Sequence, residues 1–267
     1  MPRYGYPVNK EHAPSGSELA TSQTCCLDDL EGMEDSETIQ AVEESSQLDV
    51  DKPRCCPPQR VSACNRLLRG TQMELRYTVR EGLSLVSSSQ PFVSRTNAHV
   101  QRATTLIHKL LSMHKCLTAL DIESDSFNGC ETRFCNALRG NRLIRFLKIN
   151  FRTFTLHKDI CSAVTTLPNL KELECLTECE CPMNFCAALA SLLRTSTQLA
   201  ILRIPKLCMN STGAILFLPA LLENSTLVEL CFHSSAISEA RPEHRGTFPN
   251  FLAESKTLKK LVVGAHN

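Results

Sequence analysis

Six segments of the chain repeat one pattern of apolar residues, LxxLxI, at nearly equal intervals. The pattern occupies residues 116–122, 143–149, 169–175, 198–204, 226–232 and 257–263. Its first apolar positions are Leu117, Ile144, Leu170, Leu199, Leu227 and Leu258. These positions are spaced by 27, 26, 29, 28 and 31 residues. Self-similarity at a period of about 20–50 residues indicates stacked repeats rather than a single globule.

The linking segments between these repeats carry helical apolar patterns. They read ETRFCNALRGN, DICSAVTTLPN, NFCAALASLLRTST, GAILFLPALLENST and TFPNFLAESKT. Within LxxLxI, positions 4 and 6 point to one side of a strand, and positions 3, 5 and 7 point to the other. One strand and one helix cannot bury such an apolar side alone. Stacking therefore predicts parallel strands with helices outside and a continuous Leu-rich core between them.

The repeat resembles the leucine-rich repeat of the ribonuclease-inhibitor type. The unit at 213–230, GAILFLPALLENSTLVEL, is similar to the repeats of NOD-like receptors. The resemblance covers residues 110–267 and implies an α/β leucine-rich-repeat solenoid with its strands on a concave face. It also implies protein–protein interaction, in signalling of the innate-immune type. The chain contains no GxxxxGK[ST] loop, so the nucleotide-driven assembly of those receptors is not carried over.

The N-terminal part of the chain has a different composition. Residues 1–51 hold 12 acids and 2 bases, whereas the remaining residues hold 16 acids and 27 bases. Low hydropathy with charge of one sign predicts a disordered acidic arm over 1–60, with a docking or regulatory role. Residues 61–115 are predicted to be a helical lead-in or an atypical first repeat, with a strand at 83–86 and a helix at 97–115. The repeats occupy 116–267.

Several classes of protein are excluded by composition and motifs. The sequence has no run of 18 apolar residues, and its start lacks the apolar core of a secretory signal. We therefore expect a cytoplasmic protein, without a membrane span, whose 15 cysteines are reduced. The basic residues are too evenly spread to predict specific nucleic-acid binding. Because HExxH, GxSxG and dinucleotide-binding motifs are missing, we predict no enzyme, no catalytic residue and no cofactor.

Four cysteines form the densest local cluster: Cys175, Cys179, Cys181 and Cys186. Four thiols could bind zinc, but the spacing C-x3-C-x-C-x4-C lacks paired CxxC knuckles. In the repeat frame Cys175 takes an inward apolar position, and Cys186 lies on the next helix. We therefore predict structural roles for these thiols and assign no metal site, with redox sensitivity and metal binding as the alternatives.

The concave face of the predicted sheet is the candidate partner-binding surface. It mixes charged side chains with large apolar groups, a composition typical of protein interfaces. The candidate residues are Asp121, Glu123, Phe146, Lys148, Glu172, Glu174, Ile201, Arg203, Glu229, His233 and Lys260. The prediction is a non-catalytic protein that binds a protein partner, whose identity the sequence does not specify.

Two alternatives stay open at this point. The chain could be a GTPase-activating regulator resembling the leucine-rich-repeat type of Ran GTPase-activating protein, or a substrate-recruiting adaptor of a ubiquitin ligase. A further expectation concerns the sixth repeat strand, which ends near Val263, four residues before the last residue given. Its edge and apolar side should be uncovered, as in a fragment of a longer array, a frayed end or a strand that pairs with another chain.

Overall fold

A computed structural model describes residues 56–68, 72–78, 82–88, 97–114, 116–123, 131–150, 158–176 and 180–264. Residues 1–55, which make up most of the predicted acidic arm, lie outside these ranges. Among the described residues, no helix has the length and apolar character that crossing a membrane requires.

Eight strands alternate with helices along most of the chain. The strands are β1 (Met73–Thr78), β2 (Gly82–Ser87), β3 (Leu117–Glu123), β4 (Phe146–Asn150), β5 (Glu172–Cys175), β6 (Ile201–Ile204), β7 (Glu229–His233) and β8 (Lys260–Gly264). The helices are α1 (Pro58–Leu68), α2 (Asn97–Met113), α3 (Glu131–Leu138), α4 (Lys158–Thr165), α5 (Met183–Thr195), α6 (Ser211–Glu223), α7 (Ser235–Ser238) and α8 (Thr247–Glu254). A short 3₁₀ helix, Pro242–His244, stands between α7 and α8.

The strands form one sheet in the order of the sequence, β1 to β8. β1 and β2 pair as an antiparallel hairpin, and every later pair is parallel. Each of the six predicted repeat segments contains one of the strands β3–β8, which confirms a repeating α/β arrangement. The longest interval, between the last two repeats, accommodates α7 and the 3₁₀ helix in addition to α8.

The lead-in region holds more structure than the sequence pattern indicates. The strand predicted at 83–86 and the helix predicted at 97–115 are confirmed as β2 and α2. The hairpin partner β1 was not predicted. Helix α1 begins at Pro58, inside the range expected to be the arm, because Val61, Cys64 and Leu68 give it a buried stripe. Proline at the first position of a helix costs no hydrogen bond, since that amide has no helical partner.

The core lies between the sheet and its helices. Positions 4 and 6 of the repeat form two buried rows, and each of their members from β3 to β7 is at most 2 % exposed. The rows are Leu120, Leu147, Leu173, Leu202 and Leu230, then Ile122, Ile149, Cys175, Ile204 and Phe232. Aromatic rings connect this core to the helices. The ring centroid of Phe232 lies 6.0 Å from that of Phe217 on α6 and 5.4 Å from that of Phe248 on α8. The helices therefore cover one face of the sheet.

Buried asparagines stabilise the turns that lead from helix back to strand. Asn224 accepts hydrogen bonds from the amides of Thr226 and Leu227, and its side-chain amide donates to the carbonyl of Leu193 in the preceding repeat. Asn141, which precedes β4, makes the same kind of contacts. It accepts hydrogen bonds from the amides of Leu143 and Ile144, and its side-chain amide donates to the carbonyl of Leu111. Since buried backbone groups must be paired, these side chains connect successive repeats.

The two ends of the sheet differ. The β1–β2 hairpin and α1 lie at the first end, where Met73 and Leu75 are 1 % and 2 % exposed. At the other end, Leu261 and Val263 of β8 are 37 % and 42 % exposed. The equivalent residues of β7 are buried, so the apolar side of β8 is uncovered within the described chain, as the repeat pattern predicts.

Candidate functional site

The face of the sheet that the helices leave uncovered carries the candidate residues; we call it the open face. Strand register aligns its side chains in two rows that run across β3–β8. The first row is Ala119, Phe146, Glu172, Ile201, Glu229 and Lys260. The second row is Asp121, Lys148, Glu174, Arg203, Cys231 and Val262. The register thus brings nine of the predicted residues together on adjoining strands.

Arg203 is the centre of a charge network on this face. Its guanidinium donates to Glu172 on β5, and its Nε donates to Glu229 on β7 over 2.8 Å. A third carboxylate, Glu174, lies 3.6 Å from the same guanidinium. Lys260 on β8 extends the network with a 3.0 Å bond to Glu229. Five charged side chains on four adjacent strands therefore hold one another in fixed positions.

This network perturbs the ionisation of two of its members. The hydrogen bond from Arg203, with help from Lys260, lowers the pKa of Glu229 to about 2. The same bond, together with the field of Glu172, raises the pKa of Arg203 above its usual range. A charge-assisted bond favours the ionised form of both partners, so both groups are charged at any physiological pH.

A separate ion pair lies on the neighbouring strands. Lys148 on β4 donates to Asp121 on β3 over 2.8 Å, and the two side chains are 40 % and 39 % exposed. Exposed pairs of this kind contribute little to stability, at roughly 0–1 kcal/mol. Replacing this ion pair by contacts with charged groups of a partner would therefore cost little free energy.

Two large apolar side chains lie between the charged groups. Phe146 on β4 and Ile201 on β6 occupy the first row, and both are half-buried. They are separated by β5, so their strands lie roughly 10 Å apart. Glu172, which stands between them, is only 12 % exposed at its side chain because Arg203 lies over it. The open face thus presents two apolar groups flanked by charges.

Two predicted residues differ from the rest. The expectation that His233 is presented on the face is wrong, because its side chain is buried at 6 % exposure. Its Nδ1 lies 2.9 Å from the hydroxyl of Ser235 and accepts from the Ser235 amide, and α7 begins at that serine. His233 therefore stabilises the turn into α7. Glu123 pairs through its backbone with Asn150, and its side chain lies outside the described part of the structure.

Three cysteines of the predicted cluster are buried in and between β5 and α5. Cys175, Cys181 and Cys186 are buried, and Cys186 donates to Cys181 with their sulfurs 3.0 Å apart. Burial raises the pKa of Cys175 well above its ordinary value, and the bond with Cys186 together with burial raises that of Cys181. The same sulfur–sulfur contact lowers the pKa of Cys186, so the two thiols of this pair differ in how readily they ionise. Buried thiols of this kind pack as small apolar groups. Cys179 lies outside the described residues.

The redox state of one cysteine differs from expectation. Nine of the described cysteines form no disulfide. Cys116 instead is disulfide-bonded, so the expectation that every thiol is reduced is wrong at this position.

Comparison with known proteins gives no relative from which a function could be transferred. No protein-family model and no curated protein matches the sequence. The candidate function therefore rests on the geometry of the open face alone.

Proposed function

We propose that the protein is a non-catalytic, intracellular leucine-rich-repeat protein of the ribonuclease-inhibitor and NOD-like-receptor type. In this proposal it binds a protein partner through the open face, in signalling of the innate-immune type. The partner is a folded protein whose surface offers apolar side chains to Phe146 and Ile201 and charged groups to the residues around them.

One observation supports this proposal most: the two rows on β3–β8 place half-buried Phe146 and Ile201 among partly exposed charged side chains. Apolar groups in a fixed charged surround provide the anchors and the polar rim that protein interfaces use. The network around Arg203 fixes its side chains before a partner arrives, which lowers the entropy lost on binding.

The pairing of Arg203 favours partner binding over the GTPase-regulator alternative. An arginine that stabilises phosphate transfer must be free to reach the phosphate of the partner's nucleotide. Arg203 is instead in contact with three carboxylates. A GTP-hydrolysis assay with candidate GTPases tests the regulator hypothesis, and capture of ubiquitin-ligase subunits tests the adaptor hypothesis.

The experiment compares two variants of the full chain as bait in quantitative pull-downs with a lysine-reactive cross-linker. The first variant, Phe146→Ala/Lys148→Ala/Lys260→Ala, removes an apolar anchor and two exposed charges from the open face. We expect at least a tenfold loss of the specific partner. In the unaltered protein, cross-links to that partner should involve Lys148 and Lys260.

The matched control removes an ion pair from the helical side. Arg194 of α5 bonds Glu223 of α6 over 3.0 Å, with side chains 37 % and 55 % exposed. The Arg194→Ala/Glu223→Ala variant should retain the partner. Equal capture by both variants, with cross-links confined to the helices, would refute the assignment of the open face.

A further inference from the structure

Three potential metal ligands converge near the start of α1, the end of α2 and the start of β3. Cys56 stands two residues before α1, His114 follows α2 directly, and Cys116 directly precedes β3. One ligand atom from each of these residues lies within 4.8 Å of the others. Chain segments that are 58 residues apart in sequence therefore place two sulfurs and an imidazole around one point.

The surrounding structure holds these groups in place. Cys56 is fully buried, and His114 is 2 % exposed. The Cys56 Sγ lies 3.0 Å from the His114 Nε2, and the Cys116 amide donates to the His114 Nδ1 over 3.1 Å. The hydroxyl of Tyr77 donates to the carbonyl of Cys56. The imidazole is thus fixed at both nitrogens, and its Nε2 faces the sulfur of Cys56.

The donor set matches a borderline-soft divalent cation. Zinc binds cysteine sulfur at about 2.3 Å and histidine nitrogen at about 2.0–2.1 Å, with tetrahedral geometry. Those bond lengths require a sulfur–nitrogen separation of roughly 3.6 Å and a sulfur–sulfur separation of roughly 3.8 Å. The contact of Cys56 with His114 is shorter than this, and the largest separation in the group is no more than 4.8 Å. Movements below about 1 Å would therefore produce coordinating geometry.

Oxidation of Cys116 determines when this site is complete. In the structure Cys116 is disulfide-bonded, so its sulfur is not a thiolate. A dithiol reductant would break that bond, releasing two thiols and leaving the reductant as its own disulfide. Cys56 and Cys116 would then lose their protons on binding the cation, because only the thiolate is a ligand.

We propose that Cys56, His114 and Cys116 form a redox-gated binding site for zinc or a cation of similar softness. The site is complete when Cys116 is reduced and is dismantled when Cys116 is oxidised. Binding through Nε2 places the ring proton of His114 on Nδ1, so the Cys116 amide gives up its bond to that nitrogen. The bound cation joins the start of α1 to the α2–β3 turn. This inference is independent of the proposed binding of a partner by the open face.

Cobalt binding to the full chain tests the proposal. The protein is reduced with a dithiol, desalted without oxygen and titrated with Co²⁺, whose thiolate charge-transfer and visible bands report tetrahedral sulfur ligation. We expect one Co²⁺ per reduced chain, its displacement by Zn²⁺, and no such bands in the oxidised protein. Cys56→Ser and His114→Gln should each weaken binding at least tenfold. Cys64→Ser is the matched control, because Cys64 is a buried cysteine in the neighbouring helix α1, and this variant should bind normally.

A measurement on the unaltered protein covers the case in which a variant fails to fold. Zn²⁺ should slow alkylation of Cys56 and Cys116 in the reduced chain, as read by peptide mass mapping, and leave Cys64 unaffected. Absence of metal binding by the reduced chain overturns the proposal. So does protection of other cysteines in place of this pair, or unchanged affinity in a folded Cys56→Ser variant.

Discussion

Individual side chains on the open face owe their properties to neighbours on other strands. Glu229 is an ordinary glutamate in sequence, yet Arg203 and Lys260 both bond to the same carboxylate oxygen. Its partners are about 26 and 31 residues away along the chain. The register of three parallel strands therefore creates the site.

The ionisation of Glu229 predicts a dependence of stability on pH. Its pKa in the folded protein is about 2, whereas an unfolded glutamate titrates near 4.3. The depressed pKa contributes stability that is complete above the unfolded value and is lost as pH falls toward 2. We expect the free energy of unfolding to fall over this range by roughly 1 kcal/mol more than in Glu229→Gln, after allowance for solvent screening.

Urea denaturation at a series of pH values measures this difference. Glu223→Gln serves as the control, because Glu223 is an exposed glutamate with a single arginine partner on the helical side. Its profile should follow that of the unaltered protein. Parallel profiles for Glu229→Gln and the unaltered protein would show that the network makes no net contribution.

At the scale of secondary-structure elements, α5 and α6 approach each other closely at Gly213. An added Cβ at Gly213, in the first turn of α6, would lie 2.7 Å from the Cys186 sulfur of α5. The amide of Gly213 also donates to the side chain of the N-cap residue Asn210 over 2.9 Å. The glycine is thus required by the approach of a neighbouring helix, since its backbone lies in an ordinary helical conformation.

A double-mutant cycle tests this contact. Gly213→Ala should destabilise the protein by about 1–3 kcal/mol through overpacking, despite the better helix propensity of alanine. Cys186→Ala should cost about 1–2 kcal/mol by leaving a small cavity. Because the second change makes room for the first, the double variant should be more stable than the sum of the two losses predicts. Strict additivity in thermal or urea unfolding would contradict the contact.

The elements were predictable to different degrees. The strands β3–β8 and their helices follow from the LxxLxI spacing, because each buries the same positions. The β1–β2 hairpin does not follow from that spacing, because its residues carry no LxxLxI repeat, although apolar and polar residues alternate in β1 as in a half-buried strand. The sequence pattern also does not predict the contact between Cys56 and His114, because that contact depends on how α1 packs beside α2. Sequence predicted the rows of the open face but not the ion pairs that cross them, which require the register.

At the scale of the whole molecule, leucines at the same position of different repeats contribute different amounts to the free energy of unfolding. Leu230 and Leu261 occupy the same position of successive repeats and are aligned in register. Leu230 is fully buried, whereas Leu261 is 37 % exposed because no described helix or strand covers that side of β8. In a stack whose units contact only their neighbours, burial depends on having a neighbour on both sides.

Alanine substitutions at these two leucines measure that dependence. Leu230→Ala should cost about 2–5 kcal/mol, the usual range for a buried leucine, and Leu261→Ala less than about 1.5 kcal/mol. Chemical denaturation of the two variants gives the comparison directly. Similar losses would mean that another segment or molecule covers β8 in solution.

The difference between the two ends also has a mechanical consequence. Both edge strands, β1 and β8, pair with a single described strand, but β1 buries Met73 and Leu75 whereas Leu261 and Val263 of β8 are exposed. Tension applied across the described sheet would therefore meet less resistance at β8, because fewer apolar contacts oppose its removal. We expect the β7–β8 pair to separate before the β1–β2 hairpin.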